Sequence, residues 1–116
     1  MTRGEFDAFC AALPGTASVV QWGEAQVWKV GGKVFAIGRW EAGEAAVTFK
    51  AGEVAFEMLR GEPGLRPAPY LASRGLKWIQ RYAPGLSDAE LRDYLRQSHA
   101  MVTAGLSRKR RAALGL

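Results

Sequence analysis

Arg108, Lys109, Arg110 and Arg111 are four consecutive cations near the C-terminus. Such side chains neutralise phosphates and release the counterions condensed on a polyanion, an affinity that depends on salt and not on base sequence. Read locally, the same run would only complement the negative end of a helix. Groups suited to catalysis are scarce. A hydrolase triad or a zinc site needs histidine or several cysteines, and the chain has only His99 and Cys10. His99 directly follows Ser98, and adjacent side chains diverge on a helix, so the two are no catalytic pair. His99 is expected at the surface or its boundary. Cys10 sits at helical spacing between phenylalanines and reads as a core thiol. The acids form no dense cluster of the two-metal or glycosidase kind. Gly31-Gly32 lacks the Lys-Ser/Thr and following helix of a phosphate loop. The expectation is a protein without catalysis, cofactor or metal.

The charge distribution points to a binding role. Residues 1–65 hold six Lys/Arg against eight Asp/Glu, whereas residues 66–116 hold ten Lys/Arg against Asp88, Glu90 and Asp93. A basic half on a small domain suits a polyanionic partner. With 116 residues, 48% of them hydrophobic, the chain is expected to form one domain, residues 1–116, with a basic tail over 107–116. No apolar run is long enough to cross a membrane, and the lone cysteine suits a reducing cytoplasm.

The elements that must position these groups follow from spacing and turn chemistry. Thr2 and Glu5 form a capping-box pattern ahead of the stripe Phe6, Phe9, Cys10 and Leu13, which Pro14-Gly15 ends. Gly31-Gly32 joins strands over Val27–Val30 and Lys33–Arg39 in a two-residue hairpin. Alternation there predicts that Phe35 and Ile37 share a face opposite Val34 and Ala36. A second turn over Trp40–Glu44 leads to a strand at Ala45–Lys50, with Val47 and Phe49 on one face, completing a three-stranded meander. A short helix follows before Gly61, with Val54, Met58 and Leu59 as its stripe. Prolines 63, 67 and 69 exclude a helix and a central strand, leaving an extended edge segment near Arg66–Leu71. Leu76–Tyr82 alternates as a strand whose Lys77 and Arg81 are expected on the solvent side. Ser87 and Glu90 open the strongest helix, with Leu91, Tyr94, Leu95, Ser98 and Val102 buried and Arg92, Arg96, His99 and Thr103 more exposed.

In order and spacing, several of these motifs resemble the MmcQ/YjbR family. They are the helix ending Leu13-Pro14-Gly15, the Val27–Ile37 segment, the spacing from Ala68-Pro69-Tyr70-Leu71 to Trp78, and the closing helix with its basic tail. The resemblance implies an α+β, CyaY/frataxin-like fold, an antiparallel sheet with helices on one face. It also implies DNA binding through a "double wing" of two β-hairpins. One departure is Ser98-His99, where the family commonly has Ser followed by an aromatic. Iron handling, which relatives perform with an acidic ridge on the first helix, is not expected, because Glu5 and Asp7 are the only acids there. On this reading Lys29, Lys33 and Arg39 on the first wing, and Arg66, Arg74, Lys77 and Arg81 on the second, contact phosphates. Arg108, Lys109, Arg110 and Arg111 add nonspecific affinity. The expected partner is double-stranded DNA, with RNA fitting the same chemistry, and the expected state is a cytoplasmic monomer. The alternative is a protein-interaction or small-ligand module on the same fold.

Overall fold

The computed structural model describes residues 1–41 and 44–116. The chain runs α1 (Arg3–Ala12), β1 (Thr16–Gln21), β2 (Ala25–Val30), β3 (Lys33–Glu41), β4 (Glu44–Lys50) and α2 (Glu53–Leu59). It continues through β5 (Leu65–Pro67), a 3₁₀ turn (Ala72–Arg74), β6 (Trp78–Arg81), α3 (Asp88–Ala104) and α4 (Arg108–Ala113). The described strands form one antiparallel sheet in the order β1-β2-β3-β4-β6-β5. The fold is α+β. The meander has a strand more than expected, because Thr16–Gln21 pairs along all of β2. The expected turn at Trp40–Glu44 falls partly on residues 42–43, outside the described residues.

Both predicted capping boxes form. Thr2 Oγ1 accepts from the Glu5 amide at 3.1 Å while Glu5 Oε1 accepts from the Thr2 amide at 3.0 Å. Ser87 and Glu90 repeat the exchange at 3.1 Å each way. Each box satisfies two amides that a helix start would leave unpaired. Helix α1 buries Phe6 and Cys10, and α3 buries Leu91, Leu95, Ser98 and Val102. Together they cover one face of the sheet, meeting Phe35, Val47, Phe49 and Ile79, all fully buried. Tyr94 stacks on Phe49 with centroids 5.4 Å apart.

Four expectations are corrected. A register shift between Trp28 and Lys29 puts Ala36 opposite Trp28 and Phe49 and leaves Ile37 opposite Val27 and Thr48. Phe35 and Ala36 are therefore both fully buried, and Ile37 does not share their face. A bulge breaks the strict alternation that the sequence pattern assumes for this strand. Helix α2 is rotated from its predicted stripe. Leu59 enters the core as expected but Phe56 accompanies it, whereas Val54 and Met58 are 75% and 66% exposed. Over seven residues the pattern is too short to choose a face. His99 is buried, its Nε2–H donating to the Pro14 carbonyl at 2.8 Å and its ring edge-on to Phe35. Finally, residues 107–116 are no loose tail. Ser107 caps α4, and Leu114 and Leu116 pack on the core.

Candidate nucleic-acid interface

The Gly31-Gly32 turn anchors the site. Its φ values of 58° and 80° are left-handed at both positions, as a tight two-residue hairpin between right-twisted strands requires. Leu106 and Leu114 pack beneath it, and a Cβ on Gly31 would lie 2.7 Å from Leu106 Cδ1. The hairpin tip therefore rests on the chain's last segment. Arg110 Nη2 donates to the Gly31 carbonyl at 3.0 Å. Lys33, Ser107 and Arg110 line one shallow groove with the two glycines. Two cations 77 positions apart in sequence thus share a surface, and Arg108 and Lys109 are exposed on the same short helix.

Register places the other candidates. Lys50 pairs with Trp78, and the Ala51 amide donates to the Lys77 carbonyl at 2.9 Å, so Lys50 and Lys77 lie at the hairpin end of the sheet. The β5–β6 loop carrying Arg74, which is exposed, leaves the sheet at that end. Lys77 Nζ stands 5.1 Å from the Phe56 ring centroid. Half-buried Lys29 lies on the face away from the helices, near the same end. Lys50 was not among the expected contacts, although the β4 alternation already turned it away from Val47 and Phe49.

The remaining candidates lie elsewhere. Arg39 is near the opposite end, its Nη2 donating to the Trp22 carbonyl. Arg66 crosses the open face, donating from Nε to Gln80 Oε1 at 2.8 Å with its guanidinium 4.5 Å from the Tyr82 ring. Arg111 is half-buried, its Nε enclosed without a hydrogen-bond partner. Arg81 corrects the expectation of a solvent-facing strand cation. It pairs with Val47 and Leu65 on the helix-covered face, its side chain 13% exposed. There Nη2 donates to the Leu86 carbonyl at 2.9 Å and Nη1 lies 3.7 Å from Asp88. Alternation correctly separated Arg81 from Trp78 but could not say which side the helices cover.

Glu5, Asp88 and Glu90 stand at the other end of the molecule, among cations of their own. The Met1 amine is 3.0 Å from Asp88 Oδ1, and Arg92 lies 3.7 Å from Glu5. The hydrogen bond from the Met1 amine holds the Asp88 carboxyl below its ordinary range. Backbone hydrogen bonds from Thr2 and Ser87 do the same for Glu5 and Glu90. Cys10 is buried, which pushes its thiol far above the usual range and leaves no thiolate for chemistry. Among the described residues no three His, Cys, Asp or Glu side chains converge on a point that could hold a metal, and no helix is long and apolar enough to cross a membrane.

An antiparallel sheet with helices packed on one face and a cation-bearing hairpin end defines an α+β domain of a recognisable kind. A family model described as YjbR matches residues 11–101, and the chain belongs to that family. It is similar over 99% of its length to the crystal structure of the Deinococcus radiodurans protein DR2400, which carries a DUF419 domain. The TM-score is 0.85 at 25% identity, and 88% of that chain is covered. A Pseudomonas syringae protein, structural-genomics target PsR293, shares the fold with a TM-score of 0.70 at 18% identity, over 88% of this chain and 99% of that one. No curated protein matches the chain.

Proposed function

We propose that this YjbR-family chain is a cytoplasmic, monomeric, non-catalytic protein that binds DNA by its phosphates at the hairpin end of the sheet. The observation that carries the reading is the junction of Lys33 and Arg110 in one groove beneath the Gly31-Gly32 turn. Lys29, Lys50, Arg74, Lys77, Arg108 and Lys109 extend the positive surface around it. The carboxylates of Glu5, Asp88 and Glu90 stand at the far end, clear of this groove, and two of them are paired there with the Met1 amine and Arg92. Phosphate contacts fix position without reading sequence. Arg81, tied to Asp88, drops out of the contact set.

Titrating duplex DNA over a range of salt tests this. Log affinity should fall linearly with log salt, with a slope of about −0.9 for each phosphate neutralised. Converting both Lys33 and Arg110 to alanine should flatten the slope by about 1.8, while Arg39→Ala should leave it nearly unchanged. Absence of binding at low salt would overturn the proposal. The protein-interaction alternative draws support from exposed apolar groups, Val54 and Met58 on α2 and, at the opposite end of the sheet, Val20 and Trp22 at the β1 edge.

A further inference from the structure

Tyr70 is an anomaly by two independent measures. Its ring is 86% exposed, the most exposed of the large hydrophobic side chains described. Its backbone is left-handed, φ 75°, a conformation that bulky residues rarely adopt. The Leu71 amide donates to the Pro69 carbonyl at 2.9 Å, so Tyr70 is the centre of a γ-turn of the rare, strained, positive-φ form.

The surrounding loop holds that geometry firmly. Ser73 Oγ donates to the Tyr70 carbonyl at 2.6 Å, and the Arg74 and Leu76 amides both donate to the Leu71 carbonyl, at 3.1 and 3.2 Å. Pro67 and Pro69 stiffen the entry. Folding gains almost no burial from this ring, yet the loop presents it rigidly to solvent. Backbone strain kept in place by its neighbours marks positions with a task other than packing. The loop leaves the sheet at its hairpin end and carries exposed Arg74 four residues beyond Tyr70, so the ring and a cation belong to one loop at the end where the positive surface lies.

We propose that Tyr70 is a stacking platform for an unpaired base, and that the DNA held at the hairpin end is single-stranded where it meets this loop. The proposal rests on the DNA-binding reading above and adds the substrate class. An exposed aromatic ring on a loop that also carries a cation matches the two parts of a single strand: a base offers a π-face and its flanking phosphates offer charge. Because every base has such a face, the recognition tolerates any sequence. In a continuous duplex the faces are already occupied by neighbouring pairs.

The test compares strands of equal phosphate count with and without bases. Dye-labelled oligothymidine of about twelve nucleotides and an abasic strand of the same length are titrated by fluorescence anisotropy at two salt concentrations. The native chain should bind oligothymidine about 5- to 100-fold more tightly. Tyr70→Gly should abolish that preference while leaving abasic affinity and salt slope intact, and Tyr70→Phe should retain it. Glycine accepts a φ of 75° without strain and the lost ring packs on little, so Tyr70→Gly should also melt at a higher temperature than the native chain. Equal affinity of the native chain for both strands would overturn the stacking role, as would a preference that survives Tyr70→Gly. In either case, salt-dependent binding of the abasic strand would leave the phosphate-binding reading standing. No binding to any strand or duplex at low salt would overturn both.

Discussion

Ser98 bridges the sheet and α3 at the point where the β3–β4 ladder stops. The paired register begins at Ala36 and Phe49, just beyond the bulge. Past it, Ser98 Oγ donates to the Phe35 carbonyl at 2.6 Å and accepts from the Lys50 amide at 2.9 Å. Ser98 is completely buried. Replacing it with alanine leaves a carbonyl and an amide facing a methyl group where solvent has no access. An unsatisfied buried group costs about 1–3 kcal/mol, so Ser98→Ala should cost about 2–4 kcal/mol, allowing for some relaxation of the strand ends. For a domain of this size that corresponds to a fall in melting temperature of about 10 °C. Urea unfolding followed by tryptophan fluorescence should show a lower midpoint with an unchanged m-value, because the surface exposed on unfolding hardly differs. A loss below about 0.5 kcal/mol, within the range of ordinary surface substitutions, would refute the claim that this hydroxyl closes the gap left by the bulge.

Gly38→Ala should destabilise by about 1–3 kcal/mol through overpacking, since its Cβ would fall 2.5 Å from the Trp40 ring and 2.8 Å from Phe6; calorimetry measures the shift. On α2, Val54→Ser and Met58→Ser should each change stability by less than about 0.5 kcal/mol, whereas Phe56→Ala should cost about 3 kcal/mol, a contrast that chemical denaturation resolves. Acid should weaken the fold through Glu5, Asp88 and Glu90. Their folded pKa values lie below the unfolded ones, so their stabilisation is full above the unfolded pKa of about 4 and is lost as pH falls through the depressed folded values. Glu90→Gln should reduce this acid sensitivity in melts taken between neutral and strongly acidic pH.

What could be read from the chain alone was chemistry completed within a few residues. Thr2 and Glu5, Ser87 and Glu90, and the Gly31-Gly32 turn satisfy local backbone demands, so their residue types announce the helix starts and the hairpin wherever the rest of the chain lies. The stripes of α1 and α3 were legible for a related reason: on a long helix, periodicity repeated over several turns leaves little choice of buried face. Questions that needed a partner element were settled only by the assembled fold. Alternation put Trp78 and Arg81 on opposite sides of β6, but the packing of α1 and α3 decided that Arg81 is enclosed with Asp88. A one-residue bulge, invisible to alternation, turned both Phe35 and Ala36 inward. His99 looked like a boundary residue until the end of α1 offered it the Pro14 carbonyl. The candidate site shows the same division most clearly. The cations of the hairpin and of residues 108–111 were visible as charges, but the meeting of Lys33 and Arg110 depends on α3 running the length of the sheet and returning the chain to the hairpin tip. Residue type and spacing determined which groups could bind a phosphate. Long-range packing determined which of them stand together.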